Sequence, residues 1–66
     1  MVLNYTKIET AGANKQMTMK DIYKKGHIAR ATLERIRKGN EVTIRTAGKL
    51  AAILEIDVRE LIQDGQ

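Results

Sequence analysis

The chain has 66 residues, contains no cysteine and carries a formal net charge of +4. This length holds one small domain and leaves little room for a catalytic cleft, and the missing cysteines exclude disulfides and thiolate metal sites. No apolar run approaches the roughly 18 residues of a membrane span, and the N-terminus lacks the pattern of a secretion signal. We therefore expect one domain over residues 1–66, located in the cytoplasm and held together by aliphatic packing.

The first predicted helix spans about residues 2–14 and is weakly amphipathic. Its apolar residues recur at spacings of three to four, as on one face of a helix: Leu3 or Tyr5, Ile8, and Ala11 or Gly12. A second helix is predicted from Thr18 to Lys24. Thr18 is a good N-cap, and Asp21 follows three residues later, as in a capping box. This helix buries Ile22 on its inner side.

Gly26 and His27 end the second helix. Glycine leaves a helix through positive φ at little cost, so we expect the chain to turn here. A third helix is predicted from about Ala29 to Lys38, with an aliphatic inner side. Gly39 follows it as the C′ residue.

The fourth predicted helix has the clearest amphipathic pattern, and Thr43 is its N-cap. Five apolar residues follow at helical spacing: Ile44, Ala47, Leu50, Ala51 and Leu54. Gly48 costs about 1 kcal/mol relative to alanine, which indicates either close backbone packing or simple tolerance. A capping box at Asp57 and Glu60 opens a short fifth helix, and residues 64–66 are expected to fray. The sequence thus predicts an all-α fold, a compact bundle of about five short helices.

Positive charge is concentrated between residues 18 and 39. Seven basic and two acidic residues lie there, a net charge of +5, so all other residues together sum to −1. Charged residues that merely solvated helix surfaces would show no such segregation. The basic segment favours an anionic partner such as nucleic acid.

Two short helices joined by a tight turn, the second basic outside and aliphatic inside, have the form of a DNA-reading helix-turn-helix. The segment Thr18–Gly39, TMKDIYKKGHIARATLERIRKG, resembles the Cro/repressor-type (lambda-repressor-like, XRE) helix-turn-helix family. Residues 42–62 resemble that family's fourth and fifth helices. The resemblance implies binding of double-stranded DNA, with the third helix in the major groove.

The resemblance also implies which residues contact DNA. The family's base-reading positions are occupied by Arg30, Ala31 and Arg35, and Thr32 is a further contact. Arginine suits guanine O6 and N7, and Ala31 suits a thymine methyl group. Family members hold phosphates at helix ends and in the following loop. The residues at these places are Thr18, Lys20, Lys38, Asn40 and Arg45.

Four residues depart from the family's pattern. The turn glycine of the family falls at His27, with glycine displaced to Gly26, and its usual alanine in the second helix is Tyr23. Met19 stands where the family often has a glutamine that contacts phosphate. The replacements at Tyr23, Gly26 and His27 affect the expected angle between the two helices. Met19 removes one phosphate contact that the family's glutamine makes.

The charges of the third helix also have a purely structural interpretation. Arg30, Glu34 and Lys38 are spaced by four residues and would form a ladder of exposed ion pairs, each contributing about 0.2–0.5 kcal/mol. Arg35 has no acidic residue three or four positions away, so DNA contact is favoured for it. His27, the one histidine, is expected to be a turn residue and not a metal ligand. We expect no metal and no other cofactor.

We therefore expect a sequence-specific regulator of transcription, such as a bacterial or phage repressor, and not an enzyme. Serine and cysteine nucleophiles are absent, and no Gly-rich phosphate loop occurs. The family commonly binds as two-fold dimers, which implies a homodimer on a palindromic operator. The aliphatic residues Ile53, Ile56 and Val58 near the C-terminal end are the first candidates for the dimer contact. Two alternatives stay open: a protein-interaction module, such as the antitoxin of a toxin–antitoxin pair, and a nonspecific nucleoid or RNA binder.

Overall fold

The computed structural model describes residues 1–63, which are helical apart from turns, loops and one isolated β-bridge. Its α-helices are α1 Tyr5–Asn14, α2 Met19–Lys25, α3 Arg30–Arg37 and α4 Ile44–Leu54, and a 3₁₀ helix, Val58–Leu61, follows. The all-α prediction is confirmed, with the fifth helix a 3₁₀ turn instead of an α-helix. The fraying expected at residues 64–66 lies outside the described residues.

Side-chain caps begin three helical elements where the sequence predicted them. At α2 the Thr18 hydroxyl accepts from the Asp21 amide at 3.2 Å, and Asp21 Oδ2 accepts from the Thr18 amide at 2.9 Å. Thr43 caps α4, and Asp57 and Glu60 form a second capping box at the 3₁₀ helix. Because the first amides of a helix lack partners within it, each cap fixes the residue at which the helix begins.

The first four residues are extended, which corrects the predicted helix over 2–14. Asn4 is the N-cap of α1, and its Oδ1 accepts from the Lys7 amide at 3.1 Å. Leu3 forms an antiparallel bridge with Ile62 and is buried. The spacing of apolar residues predicted a helix here, but Leu3 is apolar because it pairs with Ile62 near the other end of the chain, not because it lies on a helix face.

This N-terminal segment, residues 1–4, joins two distant parts of the chain. Backbone hydrogen bonds of 2.7 and 3.0 Å connect it to residues 61–63. The amide of Val42, in the loop between α3 and α4, donates to the Met1 carbonyl at 2.8 Å. The Met1 amino group donates in turn to the Val42 carbonyl at 3.1 Å. The α3–α4 loop is thereby held against the N-terminal segment.

The turn between α2 and α3 has its positive φ at His27 and not at Gly26. The φ angle is 52° at His27 and −87° at Gly26, so the expectation that Gly26 supplies a positive φ is wrong. Gly26 is needed for close packing instead. A Cβ there would collide with Ile53 Cδ1 of α4 and lie 3.0 Å from Ile28 Cδ1. Gly39, after α3, does have the expected positive φ, 87°.

Aliphatic and alanine side chains from all the helical elements form one buried core. Its members are Leu3, Ile8, Ile22, Ile28, Leu33, Ile36, Ala47, Leu50, Ala51, Leu54 and Leu61. Ile44 was predicted on the inner face of α4 but is 62% exposed, because this first residue of the helix lies beyond the edge of the core. A Cβ on Gly48 would meet no atom of the described chain within 4 Å, so Gly48 is tolerated and not required by packing.

Candidate nucleic-acid interface

The helices α2 and α3 and their turn form a unit that the core supports from one side. Ile22 of α2 and Leu33 and Ile36 of α3 are buried, as is Ile28 in the turn between them. The two helices pack against each other, and α2 also packs against α4. One side of α3 is thus anchored, and its other side faces solvent.

The solvent side of α3 carries the predicted base-reading residues. Arg30, Ala31 and Arg35 are all exposed. Neither arginine has a side-chain hydrogen bond or ion pair with any described residue. Thr32 is half-buried and therefore lies closer to the core than the other three. The structure leaves two guanidinium groups free to reach acceptors outside the protein.

Glu34 pairs with Arg37, and the ladder through Arg30 and Lys38 does not form in the described structure. Arg37 donates to Glu34 Oε1 from Nη2 at 2.8 Å and from Nε at 3.1 Å. This hydrogen bonding is the main reason that the pKa of Glu34 is lowered and the pKa of Arg37 is raised. Arg30 and Lys38 form no ion pair with Glu34 among the described residues, and their charges only add to the lowering of its pKa.

The predicted phosphate contacts are exposed at three places in the chain. Thr18 and Lys20 are exposed at the start of α2, where the Thr18 hydroxyl is already engaged in the capping box. Lys38 and Asn40 are exposed directly after α3, and Arg45 is exposed in the first turn of α4. All five are accessible from the solvent.

A groove of about 440 Å³ between α2 and α3 brings together residues from three helices. Its lining residues are Tyr5, Met19, Lys20, Tyr23, Arg30, Leu33 and Glu34. Met19 and Tyr23, two of the departures from the resembled family, are half-buried and form part of its wall. Lys20 and Arg30 line the same groove, which thus contains one predicted phosphate contact and one predicted base contact.

Tyr5 is the residue of this groove that sequence reasoning missed. Burial is the first cause of its raised pKa, the nearby carboxylates of Glu9 and Glu34 raise the pKa further, and Arg37 opposes them. Tyr5 therefore keeps a neutral hydroxyl beside α3. Sequence spacing could not place it there, because its position depends on how α1 packs against the helix-turn-helix.

The described residues contain neither a metal-ligand cluster nor a membrane-spanning helix. No group of three or more His, Cys, Asp or Glu residues within residues 1–63 could hold a metal ion. No helix in that range is long and apolar enough to cross a membrane. Over the described chain, the groups that stand out chemically are the cations on and around α3.

An exposed cationic helix, joined by a short turn to a supporting helix on an all-α core, defines a helix-turn-helix DNA-binding domain. The family model of the Cro/C1-type HTH DNA-binding domain matches residues 7–64. The chain belongs to this family.

The fold is also similar to a solved structure. The crystal structure of the transcriptional regulator VanUg matches with a TM-score of 0.81 and 14% sequence identity, over 94% of this chain and 83% of that chain. At this identity the likeness concerns the fold. No curated protein matches the sequence.

Proposed function

We propose that this chain is a sequence-specific regulator of transcription that binds double-stranded DNA with α3 in the major groove. The observation that carries the proposal is the exposure of Arg30, Ala31 and Arg35 on a helix whose other side is anchored in the core, with both arginines unpaired among the described residues. Membership of a DNA-binding family supports it, and so does the likeness to a transcriptional regulator. In this proposal residues 1–66 form a single DNA-binding domain. The protein is not an enzyme, and it acts in the cytoplasm, where it is associated with the nucleoid.

Base reading follows from the chemistry of these side chains. The major groove, about 12 Å wide, admits one helix, and guanine presents two acceptors there, O6 and N7. Arg30 and Arg35 each supply a planar set of donors that fits this pair. Ala31 lies between them on the same side of α3 and offers a methyl group to thymine. Thr32, being half-buried, contacts DNA at the edge of the interface.

Phosphate contacts fix the helix in the groove. Thr18 and Lys20, exposed at the start of α2, contact the DNA backbone, and so do Lys38, Asn40 and Arg45, exposed after α3. Such contacts orient the protein but carry no sequence information. Each phosphate that a cation neutralises releases counterions, so we expect affinity to fall steeply with salt concentration.

We also propose that the protein binds as a homodimer on a palindromic operator. Ile53, Ile56 and Val58 are half-buried, and each keeps part of its side chain at the surface. Isologous contact between two copies would cover such residues and place two α3 helices in half-sites one helical turn apart. Sedimentation with and without the selected duplex tests this. One protomer per duplex would contradict the dimer.

The central experiment selects bound sequences from random duplex DNA, first with the unaltered protein and then with Arg35→Ala. We expect one preferred sequence. The affinity of the protein for a duplex with that sequence is then measured at several salt concentrations. Arg35→Ala should weaken binding to it by about 1–3 kcal/mol, as loss of a guanine contact requires. Lys49→Ala is the matched control, because Lys49 is an exposed cation on the solvent side of α4.

Two results would overturn the proposal. Selection that returns no preferred sequence would make the protein a nonspecific binder of nucleic acid. Unchanged binding of the preferred duplex by Arg35→Ala would show that Arg35 does not read a base. The Lys49→Ala control should keep the same preferred sequence as the unaltered protein.

A further inference from the structure

Glu34 is the acidic residue on the solvent side of α3. Residues three and four positions apart are neighbours on a helix surface, and those of Glu34 are Arg30, Ala31, Arg37 and Lys38. Three of these four belong to the DNA contacts proposed above. Glu34 also lines the groove that contains Arg30. A carboxylate in this place meets DNA whenever its neighbours do.

Arg37 holds the Glu34 carboxylate by one oxygen. Both donors of Arg37 bond to Oε1, and Oε2 has no hydrogen-bond partner among the described residues. The Glu34 side chain is 46% exposed. The hydrogen bond from Arg37 also lowers the pKa of Glu34, so the group is ionised at neutral pH. The result is a fixed carboxylate with one free acceptor.

A carboxylate selects among base edges because it accepts hydrogen bonds and donates none. In the major groove the donors are the exocyclic amino groups of cytosine and adenine, whereas guanine and thymine present acceptors there. Adenine also carries the acceptor N7 beside its amino group, which repels a carboxylate. Phosphates repel it as well. Cytosine is the base that best fits an ionised Glu34.

We propose that Glu34 is a base-reading residue whose Oε2 accepts a hydrogen bond from the N4 amino group of cytosine, and that Arg37 is its positioning residue. This inference rests on the proposed function, since it needs α3 in the major groove. Glu34 would be a negatively charged base contact beside the two positively charged ones. Guanine acceptors are read by Arg30 and Arg35, and a cytosine donor is read by Glu34.

A structural role alone predicts a different behaviour. An exposed ion pair contributes about 0.2–1 kcal/mol to stability and has no effect on which base is bound. The base preference at a single position is therefore the measurement that separates the two roles. Thermal unfolding of each variant confirms that the protein compared is folded.

The experiment repeats the selection from random duplex DNA with Glu34→Ala, Glu34→Gln, Arg37→Ala and Arg37→Lys. We expect Glu34→Ala to lose a preference for cytosine at one position by about 5- to 150-fold, the range for one base contact. Preferences at the other positions stay, and binding to unselected DNA rises because a negative charge has gone. Glu34→Gln shifts that position towards adenine, which an amide reads with both of its groups.

The Arg37 variants test the positioning role. Arg37→Ala weakens the preference at the same position as Glu34→Ala, and Arg37→Lys restores it in part. Glu9→Ala, which removes an exposed carboxylate from α1, leaves the selected sequence unchanged. If the unaltered protein selects a sequence and Glu34→Ala selects it with the same preference at every position, the inference is wrong and the proposed function stands. If the unaltered protein selects no sequence, both are wrong.

Discussion

The helices α3 and α4 share one core but are stabilised to different degrees. Helix α4 has 11 residues, buries four of them and is preceded by the N-cap Thr43, whose side chain caps it. Helix α3 has eight residues, buries Leu33 and Ile36, and follows the N-cap residue Ala29, which supplies no side-chain cap. The helix proposed to read DNA thus depends on its neighbours for stability, because its N-cap residue supplies no side-chain cap and only two of its eight residues are buried.

The largest effect should come from removing one of the two buried residues of α3. Ile36→Ala should lower the free energy of unfolding by about 2–5 kcal/mol, because it leaves a cavity in the core. Urea unfolding measures this value. Ile44→Ala is the matched control on α4, since the same atoms are deleted from a side chain that is 62% exposed. It should change stability by less than about 0.5 kcal/mol, and equal losses would contradict the burial described here.

Two glycines, Gly26 in the turn before α3 and Gly48 within α4, should respond in opposite directions. Gly26→Ala introduces a Cβ that collides with Ile53 Cδ1, and we expect a loss of about 1–3 kcal/mol, as for overpacked cores. Gly48→Ala adds a Cβ in open space within α4. It should stabilise the protein by up to about 1 kcal/mol. Thermal unfolding compares the two, and a stabilising Gly26→Ala would show that the turn does not approach α4 as described.

A smaller pair of effects should appear at the helix starts. Ala29 has extended backbone angles, φ −63° and ψ 139°, that suit an N-cap residue. Ala29→Ser should therefore stabilise α3 by about 0.5–2 kcal/mol, and Thr43→Ala should destabilise α4 by a similar amount. Helical circular dichroism during urea unfolding follows both variants. A loss of stability in Ala29→Ser would argue against Ala29 as the N-cap.

Local signals in the sequence predicted most of the helix-turn-helix. The capping boxes of Thr18 with Asp21 and of Asp57 with Glu60 involve residues three positions apart, and both formed as expected. The positive φ of Gly39 is likewise a local requirement at a helix end. Such features depend on neighbouring residues alone, so sequence spacing is enough to find them.

The features that were missed depend on distant residues. The extended N-terminal segment exists because Leu3 pairs with Ile62, and Gly26 is required because Ile53 lies across the turn. The partner of Glu34 was missed for a different reason. Cations three and four residues away compete for it with similar energies, and spacing does not decide which one is bound.

The N-terminal segment also has a consequence for the order of folding. Helices α2 and α3 contact each other through residues close in sequence, so they can associate early. The bond from Met1 to Val42 joins residues 41 positions apart, and the bridge from Leu3 to Ile62 closes almost the whole described chain. Closing such loops lowers the entropy of the chain before the contacts that stabilise the closed loop have formed. The α3–α4 loop, which follows the reading helix, should therefore acquire its final conformation late, after the helix-turn-helix has formed.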